Sequence, residues 1–194
     1  MNIGILALQG NYSQHKNIMD ILGIQNILIR YANQLDKCDA LIIPGGESTT
    51  MTKHIDNNNL RSHLKLFAKS NPIMGTCAGM IMLSNTISNK NMRPLKVMDF
   101  QIERNAWGRQ IDSFSGNIDL TFENNQSFRG VFIRAPKICN IGNKIQVLGT
   151  YNSEPVLLTN GMHIVSSFHP EIGNDLRIHK YFINQVNETI STFN

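Results

Sequence analysis

Cysteine is scarce in this sequence, and its few copies form no pattern that identifies a disulfide framework or a zinc site. Cys38, Cys77 and Cys139 are the three cysteines among 194 residues, and they are widely spaced. Long apolar runs are also missing, because no stretch approaches the roughly 20 residues that span a bilayer. The first residues carry no basic region or cleavage site of a secretory signal. We therefore expect a cytoplasmic protein with reduced thiols, away from membranes, with no metal and no other cofactor.

A strong charge of one sign is missing as well. Lys and Arg number 18, Asp and Glu number 14, and the formal net charge is +4. The basic residues are scattered rather than clustered in a stripe, which argues against nucleic acid as a partner. Apolar residues make up 41% of the chain, which is enough for a packed core, and the length suits one domain over residues 1–194.

Short apolar runs alternate with helix-length segments in the first half of the chain. This alternation predicts a mostly parallel sheet flanked by helices, with ligands at the carboxyl ends of its strands. Ser13 is placed to cap the first helix, and Gly23 to end it. The predicted strands cover residues 3–8, 26–30, 40–43 and 72–76, and the predicted helices cover 13–22, 48–56, 60–69 and 78–83.

The second half is rich in β-type runs that are separated by Gly and Asn pairs suited to turns. We therefore predict a three-layer α/β domain with an antiparallel β extension. The strands of this half are predicted over residues 118–122, 131–133, 145–150, 156–159 and 163–168, and a final helix over 174–193.

The sharpest local pattern is Gly-Thr-Cys-Ala-Gly at residues 75–79, between an apolar strand and an apolar helix. It is the turn that carries a nucleophile in many hydrolases, here with Cys77 in place of serine. Small neighbours are needed because the turn is tight, and the backbone N–H of Ala78 can stabilise an oxyanion. The alternative, a small buried hydrophobic residue, is the interpretation we adopt for Cys38 and Cys139.

A thiol nucleophile needs a base, and the sequence His169-Pro170-Glu171 follows the apolar run 164–168. Pro170 favours an extended backbone at His169, so the side chains of His169 and Glu171 are expected on one side of the chain. The carboxylate would then fix the tautomer of the imidazole.

The remaining histidines are weaker candidates for catalysis. Those on predicted helices are interpreted as surface or boundary residues, and His163 as the start of a strand. His15 and His179 are the two whose distance from the site is worth examining. The four on predicted helices are His15, His54, His63 and His179.

Taken together, these motifs resemble the triad-type glutamine amidotransferases, and among them the glutaminase subunits of pyridoxal 5′-phosphate synthase. The Cys turn and His-Pro-Glu are shared by many glutaminase domains, whereas Pro-Gly-Gly-Glu-Ser and Arg-Asn-x-x-Gly-Arg-Gln are more specific. The matching segments cover essentially the whole chain: residues 8–10, 44–50, 75–79, 103–110, 132–136 and 168–171.

The resemblance implies a flavodoxin-like fold and hydrolysis of L-glutamine to L-glutamate and ammonia. It also implies a hetero-oligomer with a (β/α)8-barrel synthase subunit. That subunit would use the ammonia, ribose 5-phosphate and glyceraldehyde 3-phosphate to make pyridoxal 5′-phosphate. The implied site consists of the triad Cys77, His169 and Glu171, the oxyanion-hole residues Gly46 and Ala78, and the substrate contacts Gln9, Gly46, Glu47, Ser48, Arg104, Ile133 and Arg134.

Several of these assignments make chemical sense for glutamine. Arg104 and Arg134 can bind its α-carboxylate, and Glu47 can accept from its α-ammonium. Solvated charge is the alternative for each arginine, and helix capping is the alternative for Glu47 and Ser48.

Two residues depart from the family pattern: Trp107 stands where a smaller aromatic is usual, and Ser115 where an acidic residue is common. Arg109 is either structural or directed at the partner. Glutaminase activity without a partner would waste glutamine, and the resemblance implies that activity depends on the synthase, so we expect the isolated chain to hydrolyse glutamine slowly. Gly45 and Gly46 offer a hinge for such control. The alternative functions are a glutaminase for another synthase, such as imidazole glycerol phosphate synthase, a non-catalytic interaction subunit and a cysteine peptidase.

Overall fold

The computed structural model describes residues 1–87, 93–103, 113–123 and 127–193, which contain twelve strands and five α-helices. The strands are β1 (Asn2–Leu6), β2 (Gln25–Ile29), β3 (Ala40–Ile43), β4 (Ile73–Thr76), β5 (Thr86–Ile87), β6 (Phe100–Glu103), β7 (Ser113–Leu120), β8 (Phe128–Ile133), β9 (Lys137–Ile141), β10 (Gln146–Tyr151), β11 (Glu154–Thr159) and β12 (Ile164–Ser166). The helices are α1 (Tyr12–Ile21), α2 (Ser48–Asn57), α3 (Leu60–Phe67), α4 (Ala78–Leu83) and α5 (Arg177–Phe193), with a 3-10 helix over Ala32–Lys37.

The parallel part of the main sheet has the strand order β2-β1-β3-β4-β12. Every pair of neighbours in this part is parallel, and helices connect most of the strands that follow one another in the chain. Because parallel strands end at the same edge of a sheet, the segments after β1, β3, β4 and β12 gather there. This edge carries the candidate site.

The same sheet continues through β11-β10-β7-β8, and all of these pairings are antiparallel. The antiparallel extension predicted from the sequence is confirmed, and it is continuous with the parallel part. In the described ranges a second sheet, β5-β6-β9, also forms. Its strands were not predicted, because β6 is four residues long and its apolar alternation is too short to stand out.

The side chains of the parallel strands alternate between two hydrophobic cores, one on each face of the sheet. On β3, Leu41 and Ile43 belong to one core and Ala40 and Ile42 to the other. The first core contains the apolar residues of α2, α3 and α4, and the second contains those of α1 and α5. The predicted three-layer α/β architecture is therefore confirmed.

The helix boundaries differ from the predictions most at α5, which begins at Arg177 rather than at residue 174, whereas α1 is shifted by one residue. At α1 the predicted cap is also wrong. Its N-cap is Asn11 rather than Ser13, and the Asn11 side chain makes no capping hydrogen bond. Its amide instead donates to the Glu171 carboxylate, at 3.0 Å. Along the described ranges, no helix combines the length and apolar character needed to cross a membrane.

Candidate active site

Cys77 lies in a strained turn between β4 and α4. Its backbone has φ of 46° and ψ of −99°, a conformation that a side-chain-bearing residue adopts only when its surroundings enforce it. The flanking glycines are required by close packing. A Cβ on Gly79 would lie 2.0 Å from the carbonyl oxygen of Ile43, and one on Gly75 would lie 2.7 Å from the backbone of Gly79. The predicted turn is therefore present, and the Cys77 backbone N–H is anchored on the carbonyl of Ser166 at 2.8 Å.

His169 and Glu171 form a buried pair just beyond β12. The imidazole Nδ1 lies 2.6 Å from Glu171 Oε1, and both residues are 4% exposed. The contact differs in one respect from the expectation of an extended chain. Ile172 N–H donates to the His169 carbonyl at 3.2 Å, so the two side chains meet across a turn. Proline suits this turn because its φ is already fixed.

Gly45 lies between the nucleophile candidate and the base candidate. A Cβ at Gly45 would lie 2.4 Å from His169 Cε1 and 3.3 Å from Cys77 Cβ, so both side chains flank the same point. The interaction with the Cys77 side chain also contributes to a raised pKa of the His169 ring. Residues separated by 92 positions in the chain thus meet at the carboxyl edge of the parallel strands.

The charges of this cluster favour an imidazolium beside a carboxylate. Burial lowers the pKa of His169, but the hydrogen bonds and charges of Cys77 and Glu171 outweigh it, so the pKa lies well above its usual value. Burial raises the pKa of Glu171, but the charge of His15 and the interactions with His169 and Asn11 together lower it. A protonated His169 is the partner that a thiolate at Cys77 needs.

Gln9 supports the backbone of the Gly46-Glu47 segment from both sides. Its Oε1 accepts from Glu47 N–H and its Nε2 donates to the Glu47 carbonyl, each at 3.1 Å. Gly46 has φ of 154°, a backbone conformation that favours glycine, and a Cβ there would lie 2.5 Å from Gln9 Oε1. The Gly45 carbonyl accepts from Asn11 N–H at 3.1 Å, which holds the preceding peptide as well.

Glu47 is the N-cap of α2, as the capping alternative expected. Its carboxylate accepts from Thr49 N–H at 2.9 Å and from Thr50 N–H at 2.6 Å. Burial raises its pKa, but these hydrogen bonds prevail and lower it to about 2. Ser48 is the first residue of the helix and is buried. The carboxylate remains an anion at the edge of the sheet, so capping does not remove its capacity to bind an ammonium group.

Strand β8 ends at Ile133, next to the nucleophile candidate Cys77, and Arg134 comes directly after it. The Ile133 carbonyl oxygen lies 3.7 Å from Cys77 Sγ, within reach of a hydrogen bond to sulfur. Arg134 follows with φ of 43° and is exposed. Ser115 lies on β7 and is exposed too. Arg104, Trp107 and Arg109 are outside the described residues, so their predicted roles stay predictions.

Sequence reasoning missed part of this cluster. His15 and His179 are fully buried, so their interpretation as surface residues is wrong, whereas His54 and His63 are exposed as expected. The available clue was helical spacing: His15 precedes Ile18 and Met19 on α1 by three and four residues, and His179 precedes Phe182 and Ile183 on α5 by the same spacing. Asn11 and Thr76 also contact this cluster. Asn11 lies outside the motifs named above, and Thr76 lies within the Cys77 turn but received no role. The described residues contain no group of three potential ligands that could hold a metal ion.

Comparison with known proteins is consistent across the chain. The model of the SNO glutamine amidotransferase family matches residues 5–188. A relative from Thermosipho africanus, named pyridoxal 5′-phosphate synthase subunit PdxT, is 45% identical and aligns over 96% of this chain and 99% of its own length. A relative of the same name from Francisella philomiragia is 42% identical, over 95% and 98%.

Solved structures agree with this picture. A crystal structure described as a glutamine amidotransferase superposes with a TM-score of 0.89 at 38% identity, covering 95% of this chain and 98% of its own. A putative GMP synthase subunit from Thermoplasma acidophilum superposes with a TM-score of 0.69 at 14% identity, covering 99% and 95%. At that identity the second likeness supports the fold alone.

Proposed function

Because this chain belongs to the SNO glutamine amidotransferase family, we propose that it is the glutaminase subunit of a pyridoxal 5′-phosphate synthase. It hydrolyses L-glutamine to L-glutamate and ammonia within a single domain spanning residues 1–194. The observation that supports this most strongly is the meeting of the Cys77 turn with the hydrogen-bonded pair His169 and Glu171. The reduced thiol that the reaction needs is maintained in the cytoplasm, where we place the protein.

The reaction starts from a Cys77 thiolate paired with protonated His169. The sulfur attacks the side-chain amide carbon of glutamine, and the backbone N–H groups of Ala78 and Gly46 stabilise the oxyanion. His169 then donates its proton to the departing nitrogen, which leaves as ammonia. Neutral His169 next takes a proton from water, whose hydroxide attacks the thioester and releases glutamate. A general acid–base role of this kind contributes about 10²–10⁴ in rate.

Substrate recognition in this proposal uses both ends of the glutamine backbone. Arg104 and Arg134 bind the α-carboxylate, and the Glu47 carboxylate binds the α-ammonium. Ser48 and Ile133 complete the contacts, and Gln9 holds the Gly46-Glu47 backbone in position through its two hydrogen bonds at 3.1 Å.

The partner that consumes the ammonia is a (β/α)8-barrel synthase subunit, with which this chain forms a hetero-oligomer. Binding of that subunit activates the glutaminase. The isolated chain, whose Gly45 carbonyl is held by Asn11 N–H, hydrolyses glutamine slowly. Equal rates with and without the synthase would contradict the activation.

The test is a reconstituted synthase assay with glutamine, ribose 5-phosphate and glyceraldehyde 3-phosphate, followed by the absorbance of pyridoxal 5′-phosphate. We expect Cys77→Ala to abolish formation from glutamine. Ammonium chloride should restore formation in the same complex, because only the ammonia source is lost. Cys139→Ala is the matched control, since Cys139 is an exposed free thiol, and it should behave as the unmodified protein. Glutamate release that persists in the Cys77→Ala complex would refute the proposal.

A further inference from the structure

Glu171 uses only one of its carboxylate oxygens for His169. Oε1 lies 2.6 Å from His169 Nδ1 and accepts from Asn11 Nδ2 at 3.0 Å. Oε2 is buried and, among the described residues, makes no hydrogen bond of normal geometry. The group that faces it is His15, whose Nε2 lies 3.5 Å away and 3.3 Å from Thr76 Oγ1. His15 Nε2 therefore lies near two oxygens, Glu171 Oε2 and Thr76 Oγ1.

His179 of α5 contacts the other side of the same ring. His179 Nε2 lies 3.0 Å from His15 Nδ1, and both side chains are fully buried. Side chains from α1, β4, α5 and the His-Pro-Glu turn therefore form one continuous polar line through the second hydrophobic core. Burying two imidazoles side by side is costly unless hydrogen bonds compensate for the lost water.

The contacts select one arrangement of protons along this line. If His15 carries its proton on Nε2, it donates to Glu171, and its Nδ1 accepts from His179 Nε2–H. The opposite arrangement would point the Nε2 lone pair of His15 at the carboxylate. It would also leave a buried Nδ1–H on His179, where no described residue offers an acceptor. The first arrangement directs every donor towards Glu171.

We propose that His15, backed by His179, is a positioning residue of the catalytic site that donates its Nε2–H to the second oxygen of Glu171 and so fixes that carboxylate opposite His169. This inference rests on the proposed glutaminase function for its kinetic consequences. The hydrogen bond from His15 to Glu171 is argued from the distances and does not depend on that function.

Both imidazoles are suited to this role because they are neutral at pH 7. Burial lowers the pKa of His15, and His169 lowers it further, although Glu171 acts in the opposite direction. Burial and the neighbouring His15 lower the pKa of His179 to about 3. A neutral donor chain orients the carboxylate without a second positive charge, which would compete with the imidazolium of His169.

The proton arrangement is measured by NMR on the full-length chain labelled with ¹⁵N in its histidine rings. We expect ring shifts of the neutral Nε2–H tautomer for His15 and His179 between about pH 6 and 8. A proton on Nδ1 of His15 would overturn the inference whatever the activity, because that ring could not donate to Glu171.

Two substitutions of His15 test the positioning role, because each one keeps a different contact of the imidazole ring. The amide nitrogen of glutamine reaches approximately where Nε2 stood, whereas the amide oxygen of asparagine can stand where Nδ1 stood and accept from His179 Nε2–H. His15→Gln therefore keeps the donor to Glu171, whereas His15→Asn keeps only the contact with His179. We expect His15→Asn to lower kcat for glutamine about tenfold, the equivalent of one hydrogen bond to a charged group, with KM unchanged. His15→Gln should retain most of kcat.

A second readout does not depend on turnover. The ¹³Cδ signal of Glu171, followed against pH, should show its pKa raised by about one unit in His15→Asn and hardly changed in His15→Gln. His163→Gln is the matched control, since His163 is equally buried but contacts only backbone, and it should leave Glu171 unaffected. Equal behaviour of the Asn and Gln variants in both readouts would refute the positioning role.

The two readouts also separate this inference from the proposed function. If the unmodified chain with its synthase released no glutamate, the glutaminase proposal would fail, and the carboxyl titration would still decide the role of His15. If either variant were unfolded by circular dichroism, the tautomer measurement on the unmodified chain would decide.

Discussion

His163 and His169 stand at the two ends of β12 and are almost equally buried, at 3% and 4% exposure. His163 precedes the strand, and its Nδ1 accepts from the backbone N–H of Ile73 at 3.1 Å. Burial lowers the pKa of His163 to about 4, although the backbone of Ala68 acts in the opposite direction. His169 follows the strand and contacts Cys77 and Glu171, which raise its pKa.

The difference teaches that hydrogen-bond partners, and not burial, separate a structural histidine from the one proposed to be catalytic. Backbone groups leave His163 neutral, and it joins β4 to the end of α3. A carboxylate and a thiol favour the charged form of His169, which can then donate a proton. His169 lies at the carboxyl edge of the sheet, where the proposed reaction takes place. His163 lies at the amino edge, where it helps to hold the fold together.

The largest expected effect comes from removing His169, the proposed catalytic histidine. His169→Gln should lower kcat/KM for glutamine in the reconstituted synthase by about 10²–10⁴-fold, because the group proposed to protonate the departing nitrogen is lost. Formation of pyridoxal 5′-phosphate from ammonium chloride should continue. The measurement is glutamate release under saturating synthase. A loss of less than tenfold would contradict the proposal that His169, unlike His163, acts in the reaction.

The second effect is the pH dependence of stability that His163 contributes. In the unfolded chain this ring titrates near 6.5, and in the folded chain near 4. The unfolded state therefore binds more protons between these values, so the contribution of His163 to stability is complete above pH 6.5 and is lost as the pH falls towards 4. The 2.5-unit difference corresponds to about 3 kcal/mol. Urea unfolding of the unmodified chain and of His163→Phe, compared at pH 7 and pH 4, should show the advantage of the unmodified chain at pH 7 vanish or reverse at pH 4.

A third and smaller effect concerns stability at neutral pH. His163→Phe leaves the Ile73 N–H buried without an acceptor, so the free energy of unfolding should fall by about 1–3 kcal/mol. Because His163 lies at the opposite edge from Cys77, kcat/KM for glutamine should remain within about twofold of the unmodified value. A large loss of activity in folded protein would show that the two ends of β12 are not independent.

The smallest expected effect concerns Glu47 at the carboxyl edge. It tests whether this one residue both stabilises the fold and binds glutamine. Glu47→Ala should reduce the free energy of unfolding by about 1 kcal/mol, through loss of the cap of α2. Glu47→Asn keeps a capping oxygen and removes the charge. Its free energy of unfolding should therefore be close to that of the unmodified chain, while its KM for glutamine should be about tenfold higher than that of the unmodified chain. An unchanged KM in Glu47→Asn would make Glu47 a helix cap alone.

Much of the fold and of the site could be predicted because the relevant patterns are local. Strand β3 and helix α4 have the predicted bounds, since an apolar run before Gly-Gly and a glycine-flanked cysteine constrain a few adjacent residues. The short strands β6 and β9 could not be predicted, because their pairing depends on neighbours supplied by distant parts of the chain.

The sequence by itself determined the strained turn at Cys77 and the adjacency of His169 and Glu171, because spacing along the chain dictates both. The tertiary structure alone decided that His15 and His179, 164 positions apart, face each other behind Glu171 at 3.0 Å. It also decided the opposite pKa shifts of the two histidines of β12. The physical reason is that burial and hydrogen-bond partners arise from the order of strands and helices in space, and no local pattern encodes that order.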